Sequence, residues 1–422
     1  MEIEFVNHAS FIVKTKSGQF ICDPWLEGTA FDNGWKLLSQ TKFPYENFRN
    51  ITHIWFSHEH PDHFAPGNIL KIPTEYRANI TVLYQKTIDR KVSNFCKHAG
   101  FKEIIEMESN KYFLLGEMKL MCNAYTDGDS YLHLIVDGIS ILNLNDCMVD
   151  SNAKAKSILK AVGKVDVLFT QFGYANKVGN MDEVELRKIS SNEKLNRIKL
   201  QCEIFKPKFV VPFASFVWFC HQENFYMNEG MNRIDEVQTF ISKNISTKPI
   251  ILYPGDCWNV KEELNNAAAI KKYSDDYKIV SEKNVIQSVF VSKEQLINNA
   301  EIFLKKIKER NSNSLNTILK WETDINVSDL SECFALGVKH GFKATPISEN
   351  ECDISLSSAA LNYVFKNDWG GDSLNVNARF QIPSNGNYFH FKRFSHVASL
   401  NNRGEEYVEQ TFFQKLLSKI LS

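Results

Sequence analysis

Short apolar runs alternate with amphipathic stretches over about the first 258 positions of the chain. The run 51–56 (Ile-Thr-His-Ile-Trp-Phe) is rich in β-branched and aromatic residues, which predicts a buried strand. The runs 131–136 and 139–142 have the same character. The stretch 183–205 has the spacing of a helix and stops before Pro207, which disfavours helix in the residue that precedes it. The pattern predicts an α/β domain.

The pattern changes after Trp258 to sequence rich in lysine, glutamate and asparagine, and the stretch 296–307 again has helical spacing. Past Asn311 the segments become shorter, and the alternation over 374–382 predicts a strand. We therefore predict a first domain over residues 1–264 and a C-terminal α+β accessory domain over residues 265–422. Covering a site, shaping specificity and forming a dimer contact are all open roles for the second domain.

Three histidines and an aspartate directly follow the strand predicted over 51–56. The segment 57–63 reads Ser-His-Glu-His-Pro-Asp-His. Imidazoles and carboxylates gathered at a strand end are costly to bury unless a positive charge organises them, and a divalent metal supplies that charge. His58 and His60 can reach one ion, whereas Asp62 and His63 follow Pro61 and can reach a second. The alternative interpretation is a polar surface turn with incidental histidines.

The motif and its surroundings resemble the metallo-β-lactamase fold superfamily. The resemblance is carried by the motif and by segments 5–13, 22–25, 28–35, 142–147, 170–176 and 253–256. These segments look like one branch, which contains the catalytic region of CMP-N-acetylneuraminate hydroxylase and, more distantly, ascorbate-6-phosphate lactonase-like proteins. The resemblance implies a four-layer αββα sandwich with a binuclear metal site between two sheets.

The resemblance also implies the roles of individual residues. His58, His60, Asp62 and His63 match the metal ligands, and Asp146 matches the aspartate that bridges both ions. Asp62, His63 and Asp146 would therefore be the catalytic set. Asp23 would orient a ligand histidine from behind.

Two ligand histidines that the resemblance leads us to expect are missing. The segment 123–130 should supply the third ligand of the first ion, but it contains no histidine. Asp127 is the preferred substitute and Asp129 an alternative, whereas His133 lies within a predicted strand and reads as a core residue. The last histidine is expected two residues past Pro212, where the chain has Ala214. His221 is the nearest candidate, either as a ligand or as a substrate contact.

Several further residues lie in segments with which the family lines its cleft. His8, Tyr174 and Asn176 are candidates for supporting the metal ligands or contacting the substrate. Trp25, Trp35 and Trp218 would either stack on a sugar or base or simply pack.

Composition limits the classes of partner. Lysine and arginine number 49 against 50 aspartates and glutamates among 422 residues, which argues against nucleic-acid binding by bulk charge. No apolar run approaches the roughly 18 residues of a membrane span, and residues 1–4 do not resemble a signal peptide. The nine cysteines are scattered and read as reduced packing residues. We expect a cytoplasmic protein that acts on a small molecule without a membrane partner, with homo-oligomerisation left open.

The function implied is that of a hydrolase in which a binuclear site supplies a metal-bound hydroxide. A phosphorylated or nucleotide-linked sugar is the preferred substrate class. The first alternative is a di-iron oxygenase with a separate reductase, because the paired Cys-x-His and Cys-x-x-His motifs of a Rieske centre do not occur together in the chain. The second alternative is a non-catalytic metal-binding scaffold. The two divalent ions would be zinc, or iron or manganese if a carboxylate replaces an imidazole.

Overall fold

Two seven-stranded sheets dominate the computed structural model, which describes residues 1–16 and 18–409 except for the side chain of Asp127. Strands and helices are numbered along the chain. The first sheet contains β1 (Glu2–Asn7), β2 (Ser10–Thr15), β3 (Gly18–Cys22), β6 (Ile51–Phe56), β7 (Thr81–Gln85), β8 (Glu103–Met107) and β17 (Cys257–Asn259), in the spatial order β17-β1-β2-β3-β6-β7-β8. The second contains β9 (Phe113–Leu115), β10 (Met118–Ala124), β11 (Ser130–Val136), β12 (Ile139–Asn143), β13 (Val167–Gln171), β14 (Phe209–Phe213) and β16 (Lys248–Pro249), in the order β16-β14-β13-β12-β11-β10-β9. Two smaller sheets consist of β4 (Thr29–Ala30), β5 (Trp35–Leu37) and β15 (Val217–Phe219), and of β18 (Thr323–Val327), β19 (Glu332–Gly337), β20 (Gly341–Ala344) and β21 (Ile354–Leu356).

The two large sheets pack face to face, with helices on their outer sides, because strands such as β6 carry apolar side chains on both faces. In β6, Trp55 belongs to the core between the sheets, whereas Ile54 and Phe56 belong to the core under the outer helices. The rings of Phe11 on β2 and Phe169 on β13 stack with centroids 4.3 Å apart across the sandwich. Strands buried on both faces read as continuous apolar runs, as the sequence shows.

Helices cover both outer faces of the sandwich and form much of the C-terminal part. They are α1 (Pro66–Lys71), α2 (Thr74–Arg77), α3 (Lys91–His98), α4 (Asn152–Val162), α5 (Val184–Phe205), α6 (Ile234–Asn244), α7 (Ala267–Ile279), α8 (Lys293–Arg310), α9 (Leu315–Ile318), α10 (Ser358–Lys366), α11 (Gly370–Asn377) and α12 (Tyr388–Asn402). The predicted αββα sandwich is confirmed, as is the helix that ends before Pro207. None of the described helices is long and apolar enough to cross a lipid bilayer.

A second hydrophobic core lies in the C-terminal part. It begins with Leu296 of α8 and joins α10 and α12 to the sheet β18–β21. Helix α7 packs instead on the first core, where Tyr273 stacks on Phe216 with ring centroids 4.3 Å apart. The division at residues 264 and 265 remains a prediction.

The strand predicted over 374–382 is wrong. Residues Gly370–Asn377 form α11, and Ala378 ends it with a φ of +57°. Leu374 and Ala378 are both buried, and their spacing of four positions fits one face of a helix as well as alternate positions of a strand. The alternation was too short to distinguish the two periods.

Candidate metal centre

The predicted ligands come from loops at one edge of the sandwich. Strands β3 and β6 are parallel, so their carboxyl ends bring Asp23 and Ser57 together, and Asp23 N–H donates to the carbonyl of Trp55 over 3.0 Å. The turn after Pro61 is closed by the N–H of His63, which donates to the carbonyl of His60 over 3.0 Å. These loops fix the motif at the mouth between the two sheets.

Four of the predicted ligands, together with His8, form two overlapping groups. His58, His63 and Asp146 make one group, and His8, Asp62 and His63 make the other, with ligand atoms within 4.8 Å of one another in each. The Nε2 atom of His63 lies 3.2 Å from Asp62 Oδ2 and 3.4 Å from Asp146 Oδ1. The structure therefore brings together the parts of the chain that the motif predicts to bind metal.

The remaining member of the motif lies beside this cluster. His60 Nδ1 is 2.8 Å from His58 Nε2, and the Phe31 ring contacts the His60 ring with centroids 5.6 Å apart. His58 and His60 can therefore direct nitrogen atoms at one ion. The assignment of individual ligands remains a prediction.

The donor atoms are arranged to bind a divalent cation and not to form hydrogen bonds with one another. His63 Nε2 and Asp62 Oδ1 are buried and have no aligned hydrogen bond among the described residues, although charged oxygens lie near the nitrogen. Buried polar atoms normally find partners, so atoms that converge without bonding one another fit a shared cation.

The pKa shifts of the clustered groups also indicate that the buried carboxylates favour a positive charge beside them. Burial opposes charging of His63, yet the carboxylates of Asp62 and Asp146 hold its pKa well above the usual range. Burial likewise opposes ionisation of Asp146, yet His63 and His58 lower its pKa to about 2. Burial and the neighbouring imidazoles hold the pKa of His58 well below its usual range. A metal that binds these residues would therefore displace mainly one proton, the one on His63.

Asp23 supports the metal loop from behind. Its side chain is fully buried and accepts hydrogen bonds from Ser57 N (2.7 Å), Ser57 Oγ (2.8 Å), Asn145 Nδ2 (2.7 Å) and His63 Nδ1 (3.1 Å). A carboxylate on Nδ1 keeps the proton there and leaves the Nε2 lone pair for a metal. The role predicted for Asp23 agrees with this geometry.

Backbone strain is concentrated around the cluster. His8, Asp23, Asn145 and Ala214 all have positive φ, between 38° and 51°. Such conformations cost a non-glycine residue about 1–3 kcal/mol and often mark functional sites. The sequence offered no sign of this strain at Ala214 or His8.

His8 lies where the missing last histidine was expected. The N–H of Ala214 donates to the carbonyl of His8 over 2.9 Å, and His8 Nε2 is 3.2 Å from Asp62 Oδ2. His221 belongs to neither ligand group of the described residues: it forms a β-bridge with Ile286, and Glu223 N–H donates to its Nδ1. Among the described residues, His8 is thus the better candidate for the second ion.

The third ligand of the first ion was expected in the segment 123–130. Asp129 is the carboxylate of that segment whose side chain the structure describes. Its Oδ1 atom lies 3.7 Å from His58 Nε2. Gln85 Nε2 ties the loop to the motif by donating to the carbonyls of Ser57 and Gly128. The side chain of the preferred candidate, Asp127, lies outside the described residues, so its role remains a prediction.

His133 is a core residue, as its place in a strand predicts. It is fully buried in β11, with Nδ1 2.7 Å from Tyr112 Oη and Nε2 2.7 Å from Ser140 Oγ. Burial lowers its pKa to about 4, helped by the charge of Lys119.

This burial makes stability depend on pH. Below about pH 6.5 the unfolded chain protonates His133, whereas the folded chain does so only near pH 4, so stability present above pH 6.5 falls on acidification. We expect the contribution to be roughly 3 kcal/mol over that interval. Urea unfolding at a series of pH values should show a shallower acid loss for His133→Gln than for wild type. Parallel pH profiles would contradict the assignment.

The other cleft candidates have structural contacts. Trp25, Trp35 and Tyr174 are buried, and the Tyr174 hydroxyl donates to the carbonyl of Met227. Asn176 is exposed, and no described contact joins it to the cluster. Trp218 lines a cavity of about 380 Å³ that includes none of the candidate ligands. None of these residues is positioned by the described contacts to touch the metals.

Sequence reasoning missed one residue that holds the side chain of Asp146. Gln171, at the end of β13, donates from Nε2 to Asp146 Oδ1 over 2.6 Å. Its position in the segment 170–176 was a usable signal, because that segment carries part of the resemblance and ends a buried strand.

Comparison with known proteins identifies the family of the first domain. A family model described as a beta-lactamase superfamily domain matches residues 2–214, half of the chain. Cytidine monophosphate-N-acetylneuraminic acid hydroxylase from Danio rerio is 24% identical over 288 residues, covering 63% of this chain and 47% of that protein. The chain spans about half the length of the curated relatives it matches.

Solved structures with a similar fold are more distant in sequence. A possible metal-dependent hydrolase from Veillonella parvula is 13% identical with a TM-score of 0.45, covering 61% of this chain and 98% of that one. CmlA, a diiron beta-hydroxylase from Streptomyces venezuelae, is 15% identical with a TM-score of 0.42, covering 60% of this chain and 53% of that one. On the family match over residues 2–214, the chain belongs to the metallo-β-lactamase superfamily.

Proposed function

We propose that this chain is a metal-dependent hydrolase with a binuclear site. The observation that carries the proposal is the buried convergence of two ligand groups that share His63. The proposed ligands are His58, His60 and Asp129 for the first ion, Asp62, His63 and His8 for the second, and Asp146 between them.

Two divalent ions held in this way would activate a water molecule and polarise the bond to be hydrolysed. The residues of the chain set the geometry. Gln171 holds Asp146, and Asp23 fixes the ring of His63, so the reacting groups need little reorganisation. A phosphoester or lactone of a phosphorylated or nucleotide-linked sugar is the proposed substrate class, by analogy with the branch that the sequence resembles.

A di-iron hydroxylase is the second candidate. Asp129 stands near the place of an expected imidazole, and a carboxylate makes the site harder and more suited to iron or manganese. The curated relatives named above are hydroxylases by name. This activity would need an external electron donor.

Metal analysis separates the candidates. We expect inductively coupled plasma mass spectrometry on protein purified without chelators to find about two ions per chain. Zinc without visible absorption, together with turnover in a panel of phosphoesters and lactones, would support the hydrolase. Iron with visible absorption would favour the hydroxylase, and less than half an ion per chain would contradict both.

A single substitution tests whether the motif holds the metal. His60→Ala is expected to lower the metal content from about two ions to about one, because it removes one of the few nitrogens that reach the first ion. The control is His340→Ala, which removes an exposed histidine of the C-terminal part. Equal metal content in the His60 variant and wild type would contradict the assignment.

A further inference from the structure

Helix α5 carries two cationic side chains, Lys194 and Arg197, one turn apart. Ser191 and Ile198 are buried on the side of α5 that faces the second sheet. Lys194 is three positions after the first and four before the second, so it lies on the same face. Arg197 follows one turn later and is half-buried.

The level of Lys194 along the helix places it near Asp146. Gln201 of α5 accepts a hydrogen bond from Thr170 Oγ1 over 2.7 Å, which aligns this part of the helix with the end of β13. Lys194 lies seven residues back, about 10 Å along the axis, beyond the strand end and toward the cluster. Gln171 at that end donates to Asp146. Burial and the charge of Arg197 lower the pKa of Lys194 to about 8, and the carboxylate of Asp146 opposes this shift only in part.

Neither cation has a protein partner among the described residues. No described hydrogen bond or ion pair involves Lys194 or Arg197, and the Nε atom of Arg197 is buried without an acceptor. Of the nearby acids, Asp150 is paired with Lys154 at 2.9 Å, and Glu193 is exposed. Buried guanidinium nitrogens normally have acceptors, so this one is available to an anionic ligand.

We propose that Lys194 and Arg197 form a subsite for a phosphate group of the substrate, next to the metal-bridging Asp146. This inference rests on the proposed function, because it names the substrate group that the same site would hold. A phosphate offers several acceptor oxygens and matches the planar fork of arginine, with lysine as a second point of charge. The i, i+3 spacing lets both side chains reach one anion.

Titration with inorganic phosphate tests the subsite. Isothermal titration calorimetry on the metal-loaded full chain is expected to show that Lys194→Gln/Arg197→Gln binds phosphate about tenfold or more weakly than wild type. Metal content and thermal unfolding should be unchanged. Lys199→Gln on the same helix is the control, because Lys199 is 44% exposed and pairs with Glu203. Acetate, titrated in the same way, is expected to bind more weakly than phosphate.

The outcomes distinguish the two levels of the proposal. Equal phosphate affinity in wild type and the double variant, or no phosphate binding to metal-loaded wild type, would overturn the subsite and leave the metal site intact. Loss of metal in the double variant would overturn the subsite by showing that the two side chains support the structure of the metal site. Acetate binding as tight as phosphate would assign a carboxylate instead. Absence of metal in wild type would overturn the proposed function itself.

Discussion

Asparagine in place of Asp23 is expected to weaken metal binding by about 10–100-fold, although it hardly changes the side chain's volume. The carboxylate accepts four hydrogen bonds, one of them from His63 Nδ1 at 3.1 Å. An amide at this position can turn its NH2 group toward His63 and make Nδ1 the acceptor. The proton then moves to Nε2, the atom that faces Asp62 and Asp146, and blocks it as a ligand.

A chelator competition assay would measure this loss. Nitrogen-15 spectra of the histidine rings report whether Nδ1 or Nε2 carries the proton, which a merely destabilising substitution would not move. The control is Asp329→Asn, because Asp329 accepts from Ser358 N and Oγ, both at 2.7 Å, as Asp23 does from Ser57, but lies in the C-terminal part. Wild-type affinity in the Asp23 variant would remove Asp23 from the support of the site.

The local sequence was sufficient where a motif and a buried strand coincide. The run 51–56 predicts a strand, and the motif that follows it therefore lies at a strand end. His58, His63 and Asp62 could be placed together from the sequence alone. Asp146, in the turn after β12, was placed by the resemblance. These inferences needed only short-range patterns and a resemblance.

Contacts between distant segments could not be predicted in this way. The approach of His8 to Asp62 depends on how the hairpin β1–β2 packs against the metal loop, and the two residues are separated by 54 positions. His221 was chosen because it is near Ala214 in sequence, but it pairs with Ile286 and joins neither ligand group of the described residues. Proximity in sequence is a poor guide once a strand has ended.

Methionine in place of Arg379 is expected to lower the free energy of unfolding by about 3–5 kcal/mol, because it leaves buried carboxylates without their cation. Arg379 is 3% exposed and joins the C-terminal part to the first domain. Its Nη1 lies 2.6 Å from Asp32 Oδ2, and its Nε lies 2.8 Å from Glu223 Oε2. Burial raises the pKa of Asp32 to about 6, even against the effect of Arg379, so this carboxylate is poorly solvated.

Urea unfolding at fixed metal concentration would measure the loss, with Arg310→Met as the control. Arg310 pairs with Asp368 at 2.9 Å but is 46% exposed, so its removal should cost less than about 1 kcal/mol. Because the pKa of Asp32 is raised in the folded protein, its ionised carboxylate destabilises the fold most above about pH 6. The loss of unfolding free energy in the Arg379 variant should therefore shrink near pH 5, where Asp32 takes up a proton. Adding Asp32→Asn and Glu223→Gln should restore much of the stability, because no buried charge then lacks a partner. A penalty that stays constant with pH and is not relieved by these substitutions would show that Arg379 acts by packing alone.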